Sequence, residues 1–205
     1  MTLNAELQAF YQKSGFGDNI GKRTLTVPVY TGCMLVPLPN IETRHRYLKY
    51  HDLHHLITGY SVGRIGEGEV SAWELGTGSF RASPLLGIMN LIALSTGLFL
   101  ARQRMWQAFV RGCGSRNLYS VSDRGAVDNG RWPNLAALRQ YSLEPRPQST
   151  PGLFRIIEYG CYCAAALVIH AFIAIPAVIA RFVTDISLGY SVFQAVKPKK
   201  RLDLY

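Results

Sequence analysis

The sequence predicts an all-α fold: a helical domain with a short N-terminal β-hairpin and an apolar C-terminal helical segment. Three observations carry this. Two stretches, Ala82 to Ala101 and Tyr159 to Ala180, run for twenty and twenty-two residues without Asp, Glu, Lys or Arg. A segment between Asn40 and Gly59 has helical periodicity between an N-capping residue type and a C-terminal glycine. Apolar residues make up 48% of the chain and charged residues only 17%, against about 25% in ordinary soluble domains. The length suits one domain with an appendage. Residues 1–150 are expected to form the helical domain, and residues 151–205 an apolar helical segment with a basic tail.

Residues 4–12 carry a short helical pattern through Leu7, Phe10 and Tyr11. From Thr24 to Pro39 the chain turns β-rich, with Gly32 placed to turn between two runs. Pro28 and Pro37 restrict any strand there to an edge, so a hairpin or an extended arm is expected. A helix then starts after Pro39, with Asn40 as N-cap and Gly59 at its end. Gly63, Gly66 and Gly68 read as a turn. No Gly-Lys-Ser/Thr follows and no good strand precedes, so this is not a phosphate loop. A second helix is expected from about Glu67 to Leu75, stopped by Gly76. The run Ala82–Ala101 is long enough to span a bilayer, but Asn90, Ser95 and Thr96 interrupt it, which suits a buried core helix equally well. Its pattern continues to Val110 and stops near Gly112. Residues 113–151 are polar, with one short helix near Leu135–Tyr141. Tyr159–Ala180 is the better membrane candidate, disturbed only by His170 and Pro176.

The positive charge is uneven. Up to Ala101 there are eight basic and seven acidic residues; after it there are fourteen and six. Lys197, Lys199, Lys200 and Arg201 then make a basic tail. A basic half beside apolar segments suits an anionic membrane surface. Nucleic acid is not the expected partner, because the basic residues are scattered rather than gathered beside aromatics. Of the four cysteines, Cys161 and Cys163 form C-x-C, not the C-x-x-C of redox and zinc sites. A reduced compartment is expected. The N-terminal residues resemble neither a signal peptide nor a transit peptide, so the expected location is the bacterial cytoplasm, against the inner face of the cytoplasmic membrane.

The chemistry concentrates in His51-Asp52-Leu53-His54-His55, with Glu67 twelve residues later. Imidazoles four residues apart share a helix face, with Cβ atoms about 5–6 Å apart, and can close on one ion. Asp52 can join them or orient one ring. A second helix can return Glu67 to the same point. Two histidines plus carboxylate are a recurrent set for zinc and for non-haem iron. Burying these groups without a shared partner would cost several kcal/mol, which a bound cation removes. His54 sits about 100° from His55 around the helix, so it is expected to support the site indirectly or to be exposed. His45 and His170 have no local partners in the sequence.

Three familiar chemistries compete for these residues. A zinc metalloprotease reads H-E-x-x-H, but here Asp52 replaces the glutamate and is one methylene shorter. Membrane di-iron desaturases include an H-x-x-H-H box, which His51–His55 matches, yet they need a larger histidine set than the five in this chain. Helical His-Asp phosphohydrolases need an earlier histidine on a separate helix, and His45 is too near.

His51-Asp52-x-x-His55, eleven residues, then Glu67 is similar to the signature of the coenzyme Q (ubiquinone) biosynthesis protein four family. Tyr50 before the motif, Leu56, Ile57 and Gly59 after it, and Gly66-Glu67-Gly68-Glu69-Val70 also resemble that family. So do the apolar helix Pro84–Leu100, Phe109-Val110-Arg111-Gly112 with Leu118, and Leu135–Leu143 with Arg139 and Pro145. The resemblance covers roughly residues 37–148; residues 1–36 and 151–205 have no recognisable counterpart. It implies a helical fold, a divalent metal (zinc first, iron second) held by His51, Asp52, His55 and Glu67, and a cavity for a polyprenyl chain. It implies work at the membrane surface, among other biosynthetic enzymes, on a polyprenylated quinone precursor or another isoprenoid lipid.

The expected function is therefore a metal-dependent step of ubiquinone or related isoprenoid-quinone biosynthesis, such as decarboxylation or hydroxylation at ring carbon 1. Glu67 or Asp52 would accept a proton. The alternative is a non-catalytic scaffold that binds a prenyl lipid for partner enzymes, with the metal tying helices together. A third reading is a small membrane protein whose histidines are incidental.

Overall fold

The computed structural model describes residues 1–14, 26–31, 34–144 and 152–187. The chain is mainly helical, as expected: α1 (Leu3–Lys13), β1 (Thr26–Thr31), β2 (Met34–Pro39), α2 (Glu42–Thr58), α3 (Arg64–Gly76), a single 3-10 turn (Ser79–Arg81), α4 (Pro84–Cys113), α5 (Val121–Asp128), α6 (Leu135–Leu143) and α7 (Leu153–Ser187). The expected turn glycine Gly32 and the basic tail lie outside the described residues.

The hairpin pairs β1 and β2 antiparallel, from Thr26 opposite Pro39 to Thr31 opposite Met34, with Pro28 facing Pro37. A two-stranded sheet has only edge strands, the setting in which proline is tolerated. Helix α2 begins at Glu42, later than the expected cap. Ile41 occupies the N-cap without a side-chain hydrogen bond, while Asn40 Oδ1 accepts from Arg44 Nη1 at 3.4 Å. Gly59 ends the helix as expected, in the left-handed region at φ 80°, where glycine carries no Cβ penalty.

Helix α3 starts a turn earlier than its sequence suggests, so Gly66 and Gly68 lie inside a helix rather than in a turn. Their role is close packing. A Cβ on Gly66 would lie 1.9 Å from the Ser61 carbonyl oxygen, and one on Gly68 3.0 Å from Gly97 Cα. Helix α4 is bent at Ala101, where φ and ψ leave the helical region. Its first arm runs antiparallel to α3: Asn90 Nδ2 donates to Ser79 Oγ at 3.1 Å, and Gly97 meets Gly68. Its second arm runs back alongside α3. Arg104 pairs with Glu69 at 2.7 Å, and a Cβ on Gly112 would sit 2.1 Å from the Trp73 carbonyl oxygen.

Two apolar clusters result. The first joins α1, α2, α5 and α6 through Leu7, Leu53, Ile57, Val127 and Leu138, with Leu118 from the loop before α5. The second joins α3, α4 and α7 through Trp73, Leu75, Leu94, Met105, Phe109 and Ala166. Among the described residues between 113 and 144 there is one helix more than expected, α5, whose Ser120 cap accepts from Asp123 N.

Helices α4 and α7 are both long and apolar enough to cross a membrane, but their surroundings differ. Half of the apolar window in α4 is buried, against 6% in α7. Helix α4 is thus largely a core helix. Helix α7 lays Tyr159, Tyr162 and Ile169 on the second cluster and exposes Phe154, Ile157, Val168, Phe172, Ile175 and Ile179. An open groove of about 510 Å³ between α4 and α7 is lined by Leu98, Arg102, Gln103, Trp106, Tyr159 and Cys163.

Candidate metal centre

Helices α2 and α3 meet at the seam between the two apolar clusters, and the polar side chains gather there. His51 and His55 stand one turn apart on α2, and Glu67 reaches them from the first turn of α3. Glu67 Oε2 lies 3.3 Å from His51 Nε2, and Oε1 lies 3.5 Å from His55 Nε2. The ligand atoms of these three residues all fall within 4.8 Å of one another.

The outer ring nitrogens fix the tautomers. His51 Nδ1 is 2.9 Å from Glu74 Oε1, and His55 Nδ1 is 3.1 Å from the Tyr60 carbonyl. Neither acceptor carries a proton to give, so each Nδ1 donates. In the neutral rings both Nε2 lone pairs then point at the Glu67 carboxylate. His55 Nε2 is buried and has no hydrogen-bond partner. With both rings neutral, three Lewis bases converge on one point, an arrangement that suits a cation.

The electrostatics agree. Burial opposes ionisation of Glu67, yet His55 and His51 hold its carboxyl well below the usual range. Burial likewise opposes the charge on Glu74, and His51 foremost, then His54, override it. Burial would lower the His51 pKa, but Glu74 and Glu67 raise it well above the ordinary value. Without a cation, His51 is therefore an imidazolium between two carboxylates.

Behind this cluster lies a layer in which the sequence reading missed Glu74 and Tyr119 and gave His54 indirect support as one of two alternatives. Glu74 is fully buried, and its Oε1 accepts from His51, from His54 Nδ1 at 2.7 Å and from the Tyr119 hydroxyl at 2.5 Å. His54 is fully buried rather than exposed; its Nε2 accepts the Leu118 N–H at 2.9 Å, and burial lowers its pKa. It is thus a neutral link to the site. Glu74 could have been anticipated: it follows Glu67 by seven residues and so returns to the same helix face.

Asp52 lies outside the converging set. It is one residue, hence about 100°, around α2 from His51. Its buried carboxyl accepts a hydrogen bond from the Tyr11 hydroxyl, and burial raises its pKa. Helix α1 covers this side, with Phe10 stacked on His55 at a ring separation of 6.2 Å. His170 packs on Phe99 at 5.1 Å, away from the cluster, and His45 is not part of it.

Comparison of the chain with protein-family models, with curated proteins and with solved structures gives no match. What the fold and site define is a class: a helical protein with a two-histidine, one-carboxylate cluster and an exposed apolar helix.

Proposed function

We propose that this protein acts in ubiquinone or related isoprenoid-quinone biosynthesis, as a metal-dependent enzyme working at a membrane on a polyprenylated aromatic ring. The reading rests on the resemblance of its motif to the coenzyme Q biosynthesis protein four family. The observation that carries it is the buried, unpartnered Nε2 of His55 facing Glu67 beside His51 Nε2. His51, His55 and Glu67 would hold the ion, zinc first and iron second. A bound ion would supply Lewis acidity toward a ring carboxylate. Glu74 fixes the His51 tautomer. With Glu67 engaged in the cluster, Asp52 is the better proton acceptor. It would accept the acid's proton on binding and leave the carboxylate; as the ring–carboxylate bond breaks and carbon dioxide leaves, the bonding pair stays on the ring carbon and the proton passes to it from Asp52. The exposed face of α7 supports association with a membrane; the cytoplasmic face of a bacterial membrane and contact with other biosynthetic enzymes are part of the same proposal.

Elemental analysis of the purified protein tests the centre, with a His51→Ala/His55→Ala variant alongside. About one zinc or iron per chain, lost in the variant, supports it. No metal in either protein after adding back zinc and iron overturns it. A second reading, a prenyl-lipid-binding scaffold, is favoured by the groove between α4 and α7, whose lining includes none of the cluster residues. Product analysis with prenylated ring acids separates the two, since a scaffold gives no turnover.

A further inference from the structure

Arg44 lies in the first turn of α2, seven residues before His51 and eleven before His55. These spacings put all three on one helix face. Side chains on a helix lean toward its N-terminus, so both imidazoles tilt toward the turn that carries Arg44, while the Arg44 guanidinium itself reaches back to Asn40; roughly 10 Å of helix rise separates Arg44 from His51. The negative charges of Asp52 and Glu67 act on its guanidinium, against a burial that disfavours its charge.

Arg44 is also under-used. Its guanidinium has five N–H donors, and among the described residues it makes one hydrogen bond, to Asn40 Oδ1 at 3.4 Å. It forms no ion pair there within 4.0 Å. Other half-buried arginines are satisfied. Arg124 donates to the Tyr119 carbonyl and lies over the Tyr47 ring, and Arg155 pairs with Glu158. A partly desolvated guanidinium with unspent donors, beside a cluster built for a cation, is half of a ligand site.

We infer that Arg44 binds the carboxylate of an aromatic acid seated between its guanidinium and the His51–His55–Glu67 cluster. This rests on the reading of that cluster as a metal centre. The planar fork of arginine matches the two oxygens of a carboxylate. The aromatic preference comes from α1, which places Phe10 against His55 and Tyr11 against Asp52. Glu67 and Asp52 would repel an acid from the metal-free protein, so acid binding requires the cation. Arg44 therefore selects an acid over its neutral counterpart.

The test compares benzoate with benzamide by calorimetric titration of zinc-loaded and zinc-free protein, in the native chain and in Arg44→Gln and Arg44→Lys. Zinc content and far-UV circular dichroism are measured on each. The zinc-loaded native protein should bind benzoate at least about tenfold more tightly than benzamide, the scale of one charged hydrogen bond. Arg44→Gln should lose that preference with its zinc content unchanged. Arg44→Lys, which keeps the charge and stem but not the fork, should retain part of it. Equal benzoate binding by native and Arg44→Gln proteins, both zinc-loaded, overturns the role of Arg44 alone. Failure of the native protein to take up zinc overturns the metal reading and this inference with it.

Discussion

His51 and Glu74 form a buried pair in which the ring Nδ1 lies 2.9 Å from Oε1 and the opposite ring nitrogen faces Glu67 at 3.3 Å. One carboxylate thus orients the imidazole, and another completes the site with it. Carboxylate–histidine pairs of this kind raise ligand basicity and hold ring orientation in metal proteins.

Glu74→Gln should therefore weaken zinc binding by about 10–100-fold, the usual cost of losing such an outer carboxylate. Competition against a chromophoric chelator measures it. An unchanged zinc affinity would show that Glu74 serves only to neutralise His51.

The metal-free protein should show a characteristic pH dependence. The pKa of His51 is raised in the fold, so its contribution to stability is fully present below about 6.5, the unfolded value. That contribution is lost as pH rises through the folded pKa. Glu67 and Glu74 are depressed, so their contribution is present above the ordinary carboxylate range and lost as pH falls through their folded pKa values. Melting temperatures in a chelator should peak between these limits and decline above pH 6.5. With zinc added, the alkaline decline should vanish, because the ion takes the place of the His51 proton. A chelated protein whose melting temperature is flat from pH 6 to 9 would contradict the ion-pair description.

Packing makes opposite predictions for two glycines. Gly112→Ala places a methyl against the Trp73 carbonyl and should destabilise by about 1–3 kcal/mol through overpacking. Gly125 lies inside α5 with open space where a Cβ would go. Gly125→Ala should stabilise by about 0.5–1 kcal/mol. Urea unfolding of both variants is the measurement, and the difference in sign is the result to look for.

The outer face of α7 should govern lipid binding. Phe172→Asp/Ile175→Asp changes two residues that are 78% and 61% exposed, so it should abolish co-sedimentation with phosphatidylglycerol vesicles and leave the melting temperature unchanged. Retained sedimentation would locate the contact elsewhere.

The sequence was informative where local signals and tertiary packing agree. Helix α2, its closing Gly59, the hairpin and the apolar helix α7 all follow from periodicity, caps and proline placement. The start of α3 does not, because Gly66 and Gly68 are turn formers until Ser61 and Gly97 are known to press against them. Helix α5 has a legible cap in Ser120-x-x-Asp123, but too short an apolar pattern to stand out. In the site, His51, His55 and Glu67 were marked by spacing alone. For His54 the spacing left indirect support and exposure both open, since its burial depends on Trp73 and Tyr119, whose rings lie 5.0 and 4.8 Å from it. The bend at Ala101 has no proline or glycine at that position to announce it.

That bend also bears on how the chain is made. By folding α4 back along α3, it lets residues 64–113 complete a three-rod unit from neighbours in sequence, the kind of contact that forms early and fast. Synthesis proceeds from the N-terminus, and domains tend to fold in that order. The surface that receives Tyr159 and Tyr162 can thus exist before α7 leaves the ribosome, and the helix with the least buried apolar window emerges onto a docking site already in place.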